Sequence, residues 1–231
     1  DDVGFALVRL LLLSSGGAFH RLDYDKWIRN YDAVNNDDRA RMRRAVDEMH
    51  LRPLISVVMP TFNPEVSWLR EAIESVRRQL YPNWELCIAD DASTTVDVGS
   101  ILAEFARQDS RIRFVLRKEN GHISTATNSA IELASGDFLA LMDQDDVLAE
   151  GALFWMAKTI EAHPDVQLLY SDEDKISERG VRSTPFFKPE WNVDLLRSIN
   201  YFSHLGVYRA SLVRKVGGLR QEFEGAQDHD L

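Results

Sequence analysis

From residue 54 onwards, short runs of apolar residues alternate with segments in which apolar residues recur every three or four positions. The short runs are typical of buried strands, and the spaced segments are typical of amphipathic helices. We predict five strands, over residues 54–59, 85–89, 112–116, 138–142 and 166–170. Four helices are predicted between them, with apolar faces over residues 68–80, 101–106, 123–134 and 152–160.

This alternation favours the α/β class, with a mostly parallel sheet flanked by helices and right-handed crossovers between its strands. In such sheets, ligands bind outside the carboxyl ends of the strands. The residues that directly follow each strand are therefore the first candidates for a functional site.

Residues 1–50 have a different pattern from the rest of the chain. An apolar run over residues 5–13 is followed by a Ser-Ser-Gly-Gly breaker at residues 14–17, and residues 40–49 carry a partial helical stripe. We predict a short N-terminal helical appendage over residues 1–50 and one α/β domain over residues 51–231. The apolar run is too short to cross a bilayer, which takes about 20 residues, and it lacks the basic leader and cleavage site of a secretory signal.

The charge of this 231-residue chain limits the classes of function that it can have. The net charge of −10 argues against nucleic acid as the main partner, and the single cysteine, Cys87, excludes an internal disulfide. Residues 137–178 contain 11 acidic and two basic residues, so they carry nearly the whole imbalance. Acids concentrated in this way indicate either a solvated face or a site for a cation.

Candidate site residues follow every predicted strand. They are Pro60, Thr61, Phe62 and Asn63 after the first strand, Asp90 and Asp91 after the second, Asn120 and Gly121 after the third, Asp143, Asp145 and Asp146 after the fourth, and Asp172, Glu173 and Asp174 after the fifth. Two carboxylates about 5 Å apart repel by about 3 kcal/mol at an effective dielectric constant of about 20. A divalent cation relieves that repulsion, and oxygen ligands suit Mg²⁺ or Mn²⁺.

Each motif taken alone also has an ordinary structural interpretation. Residues 90–93 are typical of a turn that leads into a helix N-cap, and an isolated Asp-x-Asp such as residues 143–145 is common in solvated turns. For residues 172–174 we favour a solvated or capping segment over a second metal site. The position of all these motifs at one sheet edge favours a functional site there.

The joint order of the motifs resembles the inverting glycosyltransferases of family 2, which have the GT-A fold. The resemblance covers about residues 53–231 and is carried by residues 55–63, 86–94, 120–128, 134–138, 141–146 and 225–231. Residues 170–175, 187–191 and 200–201 are similar to a subgroup of rhamnosyltransferase-like enzymes that build bacterial surface polysaccharides.

The resemblance implies metal-dependent, inverting transfer of a sugar from a UDP- or dTDP-linked donor to a saccharide or lipid-linked acceptor in cell-surface polysaccharide synthesis. It implies that Asp145 binds Mn²⁺ or Mg²⁺ and that Asp228 is the general base. The implied nucleotide-binding residues are Pro60, Thr61, Phe62, Asn63, Asp91, Asn120 and Asp143.

The resemblance also implies a cytoplasmic protein, with peripheral association at the inner face of the membrane left open. Asp228 lies close to the end of the sequence, so we expect a further helix after Leu231 to hold the base. For His204, a histidine satisfied within a strand is favoured over one that lines the acceptor side.

Two other functions stay open. A sugar nucleotidyltransferase also combines a parallel sheet with a metal-binding Asp pair, but its first loop is rich in Gly, Lys and Arg, unlike residues 60–63. A nucleotide-sugar-binding module without turnover is the second alternative, and the presence of Asp228 argues against it.

Overall fold

The computed structural model describes residues 21–95 and 97–231, with side chains described from Tyr24 onwards. The apolar run and the breaker predicted before residue 20 lie outside the described residues. The chain divides into two compact units: a larger one of residues 34–173 and 186–231, and a smaller one that includes residues 21–33 and 174–185. The domain boundary expected at residue 50 stays a prediction.

A six-stranded sheet forms the centre of the larger unit, in the order β3-β2-β1-β4-β8-β5. Its strands are β1 (Ile55–Thr61), β2 (Trp84–Asp90), β3 (Ile112–Leu116), β4 (Phe138–Leu141), β5 (Leu168–Tyr170) and β8 (Gly206–Arg209). The first four in chain order are parallel to one another, whereas β8 runs antiparallel between β4 and β5. The mostly parallel sheet and the five predicted strands are confirmed. Strand β8 was not predicted, because four residues with one Gly and one Arg give little apolar signal.

The described residues form nine α-helices. They are α1 (Arg21–Trp27), α2 (Asn36–Glu48), α3 (Val66–Arg77), α4 (Val98–Gln108), α5 (His122–Leu133), α6 (Ala152–Ala162), α7 (Val193–Ser198), α8 (Ala210–Val216) and α9 (Gln227–Asp230), with a π-helical turn at Ile28–Asp32 and a 3₁₀ turn at Gln221–Phe223. The four predicted helices correspond to α3, α4, α5 and α6. None of the helices within residues 21–95 and 97–231 combines the length and apolar character that a membrane span requires.

Strand β1 separates two hydrophobic cores. Ile55, Val57 and Met59 face the core built with α2, α3, α4 and α6, whereas Val58 faces the core built with α5 and α8. Both faces of the strand are buried, which explains why its sequence is mostly apolar and does not alternate. Helix α2 contributes Val46 to the first core, and Met49 directly after the helix belongs to the same core.

The smaller unit contains most of a two-stranded sheet, β6 (Glu173–Ile176) and β7 (Arg182–Phe186). Asp174 accepts hydrogen bonds from the Tyr24 hydroxyl at 2.5 Å and from Arg182 Nε at 2.6 Å. The Arg182 guanidinium also pairs with Asp32. These ion pairs connect the two strands to the segment that follows α1.

A buried carboxylate ties the start of β2 to its neighbours. Glu85 is 7% exposed, and its Oε1 accepts hydrogen bonds from Ser56 Oγ and from the backbone N–H of Ser135, both at 2.6 Å. Arg113 completes the site as an ion-pair partner. Burial raises the pKa of Glu85, but the hydrogen bonds from Ser56 and Ser135 and the charge of Arg113 outweigh it and hold the pKa below its usual range.

We expect Glu85→Ala to lower the free energy of unfolding by about 2–4 kcal/mol, because buried donors and a cation lose their partner. Urea unfolding measures the change. Since the native pKa of Glu85 is lowered, its contribution is fully present above the unfolded value of about 4.3 and is lost as the pH falls through the native pKa. The matched control is Glu104→Ala, whose pair with Arg70 is 40% exposed on both sides and is screened by water. An equal loss of stability in the control would contradict the role of the buried network.

Candidate functional site

The parallel register brings the ends of the first three strands to one level. Thr61 lies opposite Asp90 across β1 and β2, and Asp90 lies opposite Leu116 across β2 and β3. Pro60 lies within β1, opposite Ala89. The loops predicted to hold a nucleotide therefore leave the sheet side by side, as expected of a parallel sheet.

Gln144, directly after β4, holds the loop that follows β1. Its Oε1 accepts hydrogen bonds from Thr61 Oγ1 at 2.6 Å and from the backbone N–H of Phe62 at 2.9 Å. Asn63 has a φ of 45°, and its N–H donates to Ser93 Oγ in the loop after β2 at 2.8 Å. The loop is thus fixed from both sides, with the Phe62 ring left 45% exposed.

Asp91 connects the loops after β2 and β3. It is 2% exposed, and its carboxylate accepts from Arg117 Nε at 2.7 Å and from the Gly121 N–H at 3.0 Å. Asn120 Nδ2 donates a hydrogen bond to the Asp91 carbonyl at 3.2 Å. Arg117 Nη1 donates a second hydrogen bond from its guanidinium to Ser129 Oγ at 2.6 Å. The structure therefore brings Asp91 and Asn120 together and gives Asp91 a structural role, while their predicted role in nucleotide binding stays a prediction.

A pocket of about 400 Å³ opens beside these loops. It is lined by Asp90, Ala92, Ser93, Thr94, Asp97, Val98, Gly99, Leu116 and Arg117. Within it, Asp90 accepts a hydrogen bond from Ser93 Oγ at 2.5 Å. Its volume lies in the range of ligand pockets, about 300–1,000 Å³, and its place at the carboxyl ends of β2 and β3 is where an α/β sheet binds ligands.

An acidic cluster with one histidine lies after β4. His204 Nδ1 is 3.0 Å from Asp146 Oδ2, and His204 Nε2 is 3.8 Å from Asp143 Oδ2. One ligand atom from each of the three residues lies within 4.8 Å of the other two, so together they could surround one cation. Asp145, the predicted metal ligand, is exposed and is not a member of this group.

The position of His204 corrects the sequence interpretation. It was expected to be a satisfied histidine within a strand, but it lies in the loop before β8 and its ring faces the acids after β4. The antiparallel pairing of β8 with β4 is what brings the two loops together. The sequence did not predict this arrangement, because β8 is short and has no clear apolar pattern.

The pKa values of the cluster reflect its negative charge. Burial raises the pKa of Asp143 to about 6, and the neighbouring carboxylates of Asp146, Asp228 and Asp145 add to the rise. The Asp146 carboxylate, 3.0 Å from Nδ1, raises the pKa of His204 to about 9, with support from the charge of Asp143. Burial also raises the pKa of Asp228, at the start of α9. The charge of Asp228 contributes to the raised pKa of Asp143, and the charge of His204 opposes the rise in the pKa of Asp228, so the predicted base is electrostatically coupled to the cluster.

A buried ion pair fixes the loop that carries His204. The Lys188 side chain is 1% exposed, and its Nζ lies 3.0 Å from Glu173 Oε2 and donates to the His204 carbonyl at 2.5 Å. Glu173 also accepts from the His204 N–H at 3.3 Å, and burial lowers the pKa of Lys188. The expectation that residues 172–174 are a solvated or capping segment is therefore wrong for Glu173. A lysine between aromatic residues at 187–191 was the signal that could have indicated this pair.

The fold and the site at its carboxyl edge define a GT-A glycosyltransferase domain, and solved structures share this fold. Staphylococcus aureus TarS 1–349 in complex with UDP superposes with a TM-score of 0.62 at 23% identity, over 76% of this chain and 52% of TarS. The mannosyltransferase PcManGT from Pyrobaculum calidifontis, in complex with GDP-Man and Mn²⁺, superposes with a TM-score of 0.60 at 22% identity. The match covers 83% of this chain and 56% of PcManGT.

Residues 56–217 match the glycosyl transferase family 2 model, so the chain belongs to that family. It is 50% identical over 217 residues to the uncharacterized protein y4gI of Sinorhizobium fredii, covering 94% of this chain and 24% of that protein. It is 43% identical over 189 residues to the O-antigen biosynthesis protein RfbC of Myxococcus xanthus, covering 82% of this chain and 15% of RfbC. The chain thus spans about a quarter or less of these relatives.

The Asp91–Arg117 pair gives a testable prediction. We expect a double-mutant cycle with Asp91→Ala and Arg117→Ala to give a coupling energy of about 1–3 kcal/mol in urea unfolding, because the carboxylate is buried and accepts directly from the Arg117 guanidinium. The exposed pair Arg78–Glu71 is the matched control, with both side chains 53% exposed, and its coupling should be close to zero. Equal coupling energies for the two pairs would contradict the prediction that burial strengthens the Asp91–Arg117 pair.

Proposed function

We propose that the chain is the catalytic domain of a metal-dependent, inverting glycosyltransferase. It transfers a sugar from a nucleoside-diphosphate donor to a saccharide or lipid-linked acceptor, in the cytoplasm and next to the inner face of the membrane, for cell-surface polysaccharide synthesis. The observation that carries the proposal is the group of Asp143, Asp146, His204 and Asp228 at the carboxyl edge of a family 2 sheet. The relative named for O-antigen biosynthesis supports the polysaccharide assignment.

The donor nucleotide binds along the loops after β1, β2 and β3 in this proposal. Residues 60–63, Asp91 and Asn120 line that edge, and Asp143 reaches the ribose. A carboxylate has about four lone-pair positions, and Asp91 already uses two or three of them for Arg117 and Gly121. A bond from a pyrimidine N3–H would take a remaining position, which suits a uracil or thymine base.

The residues at the end of β4 fit a divalent cation. Two carboxylates and one imidazole within 4.8 Å suit Mn²⁺ better than Mg²⁺, which prefers oxygen ligands throughout. Asp143, Asp146 and His204 would hold the ion, and Asp145 remains a predicted ligand that is free to turn inward because it is exposed. When bound, such an ion neutralises the charge that develops on the departing diphosphate.

Asp228 removes the proton from the acceptor. The acceptor hydroxyl oxygen forms a bond to the anomeric carbon while the bond from that carbon to the diphosphate oxygen breaks, and the hydroxyl proton passes to the Asp228 carboxylate. Attack opposite the leaving group inverts the configuration without a covalent intermediate. Burial raises the pKa of Asp228, which makes its carboxylate a stronger base than an exposed one.

Family 2 membership leaves the nucleotidyltransferase alternative without support. The binding module without turnover predicts normal donor affinity and no transfer by the wild-type domain. The Asp228 experiment below distinguishes it from an enzyme.

We expect metal-dependent UDP binding to be lost in Asp146→Ala and in His204→Ala, because each variant removes one of the three grouped ligands. Asp145→Ala should have the same effect if the predicted ligand turns inward. Calorimetry with UDP, in Mn²⁺ and in EDTA, measures the affinities. Asp165→Ala, an exposed acid outside the cluster, is the matched control. Unchanged UDP affinity of the wild type in EDTA would rule out the metal site.

We expect Asp228→Asn to reduce the transfer rate by about 10²–10⁴-fold, the usual contribution of a positioned general base. UDP affinity and melting temperature should stay near wild type, because the amide keeps the shape of the side chain. Asp230→Asn is the matched control, since Asp230 belongs to the same helix but pairs with Arg220. Near-normal turnover in a destabilised Asp228→Asn protein would assign the residue a structural role instead.

A further inference from the structure

Residues 187–191 include an exposed tryptophan that the proposed donor site does not use. Trp191 is 59% exposed, and its indole stacks on the Phe202 ring with centroids 5.6 Å apart and planes 27° apart. Phe202 is 5% exposed and stacks in turn on Tyr170 at 4.7 Å. Trp191, Phe202 and Tyr170 thus form an aromatic ledge, with only its outermost ring open to solvent over most of its surface.

The backbone on both sides of Trp191 is fixed. The Tyr170 hydroxyl donates to the Pro189 carbonyl at 2.7 Å, and the buried Tyr201 hydroxyl accepts from the Asn192 N–H at 2.9 Å. Lys188 Nζ, from the same segment, lies 3.4 Å from the Phe202 carbonyl oxygen. The indole is therefore preorganised, so a ligand that stacks on it loses little binding free energy to ordering of the protein.

The aromatic ledge continues to the residues of the proposed chemistry. Asn192 caps α7, and the Leu196 carbonyl in that helix accepts a hydrogen bond from the ring of His229, the neighbour of Asp228. At about 1.5 Å per residue, Leu196 lies about 6 Å along the helix from Asn192. On the other side, Phe202 is two residues before His204. Short stretches of chain thus link the ledge to the helix that carries the proposed base and to the acidic cluster.

We propose that the exposed face of Trp191 is a subsite for a sugar ring of the acceptor, an inference that rests on the proposed function. A pyranose has one face of C–H groups, and the negative face of an aromatic ring attracts such polarised hydrogens. The acceptor is the occupant that has to approach Asp228, whereas the nucleotide binds along the loops after β1 to β3. One isolated indole matches the size of one sugar ring better than a peptide helix, which needs a groove with several anchors.

The experiment uses butyl β-D-glucoside as the probe, added to the protein with UDP and Mn²⁺. Saturation-transfer NMR gives the Kd and shows which protons of the probe touch the protein. Trp191→Leu keeps apolar bulk without a flat ring, and Trp191→Phe keeps a smaller flat ring. Trp155→Ala is the matched control, because Trp155 is 53% exposed on α6 and packs edge-on against Phe154.

We expect transfer to the ring C–H protons of the glucoside in the wild type, in Trp191→Phe and in Trp155→Ala. In Trp191→Leu the Kd should rise by about 3- to 10-fold, the size of one lost aromatic contact. UDP affinity should be the same in all four proteins. An unchanged Kd in Trp191→Leu, or saturation transfer confined to the butyl protons, would overturn the proposed subsite. UDP binding by the same proteins would still support the proposed function. Absence of UDP binding by the wild type would overturn both.

Discussion

Repulsion among the carboxylates after β4 is the constraint that the rest of the site depends on. Burial raises the pKa of Asp143 to about 6, and the charges of Asp146, Asp228 and Asp145 add to the rise. The imidazole of His204 offsets part of this charge, and its own pKa rises to about 9 as a result. A cation bound by the two carboxylates and the neutral imidazole of His204 would replace this compensation, which is the physical basis for the proposed metal dependence.

The fold keeps this charged group in place with a layer of buried ion pairs. Lys188 and Glu173 fix the backbone of His204, so that the ring stays directed at the acids. Strand β2 has a buried carboxylate near each end, Glu85 and Asp91, and each is paired with an arginine. Charged residues in this chain thus have two roles: some position the loops, and others remain accessible for chemistry.

The two sides of the site come from different parts of the sequence. The loops after β1, β2 and β3 form the proposed donor side, and hydrogen bonds from Gln144, Ser93 and Arg117 hold them together. Residues 187–204 form the proposed acceptor side, with Trp191 at its edge. The acidic cluster lies between them, as a reaction that joins two substrates requires.

The sequence by itself determined the elements of the parallel sheet and the residues at its carboxyl edge. Strands β1, β2 and β4 are largely buried on both faces and therefore mostly apolar, and parallel pairing places Asp91, Asn120 and Asp143 at one edge. Only the tertiary structure decided that His204 joins that edge. Its loop meets the acids because β8 inserts antiparallel between β4 and β5, and four weakly apolar residues carry no periodicity that would predict this pairing. The partners of Glu173 and Lys188 were likewise decided by contacts between segments distant in the chain, which no local pattern encodes.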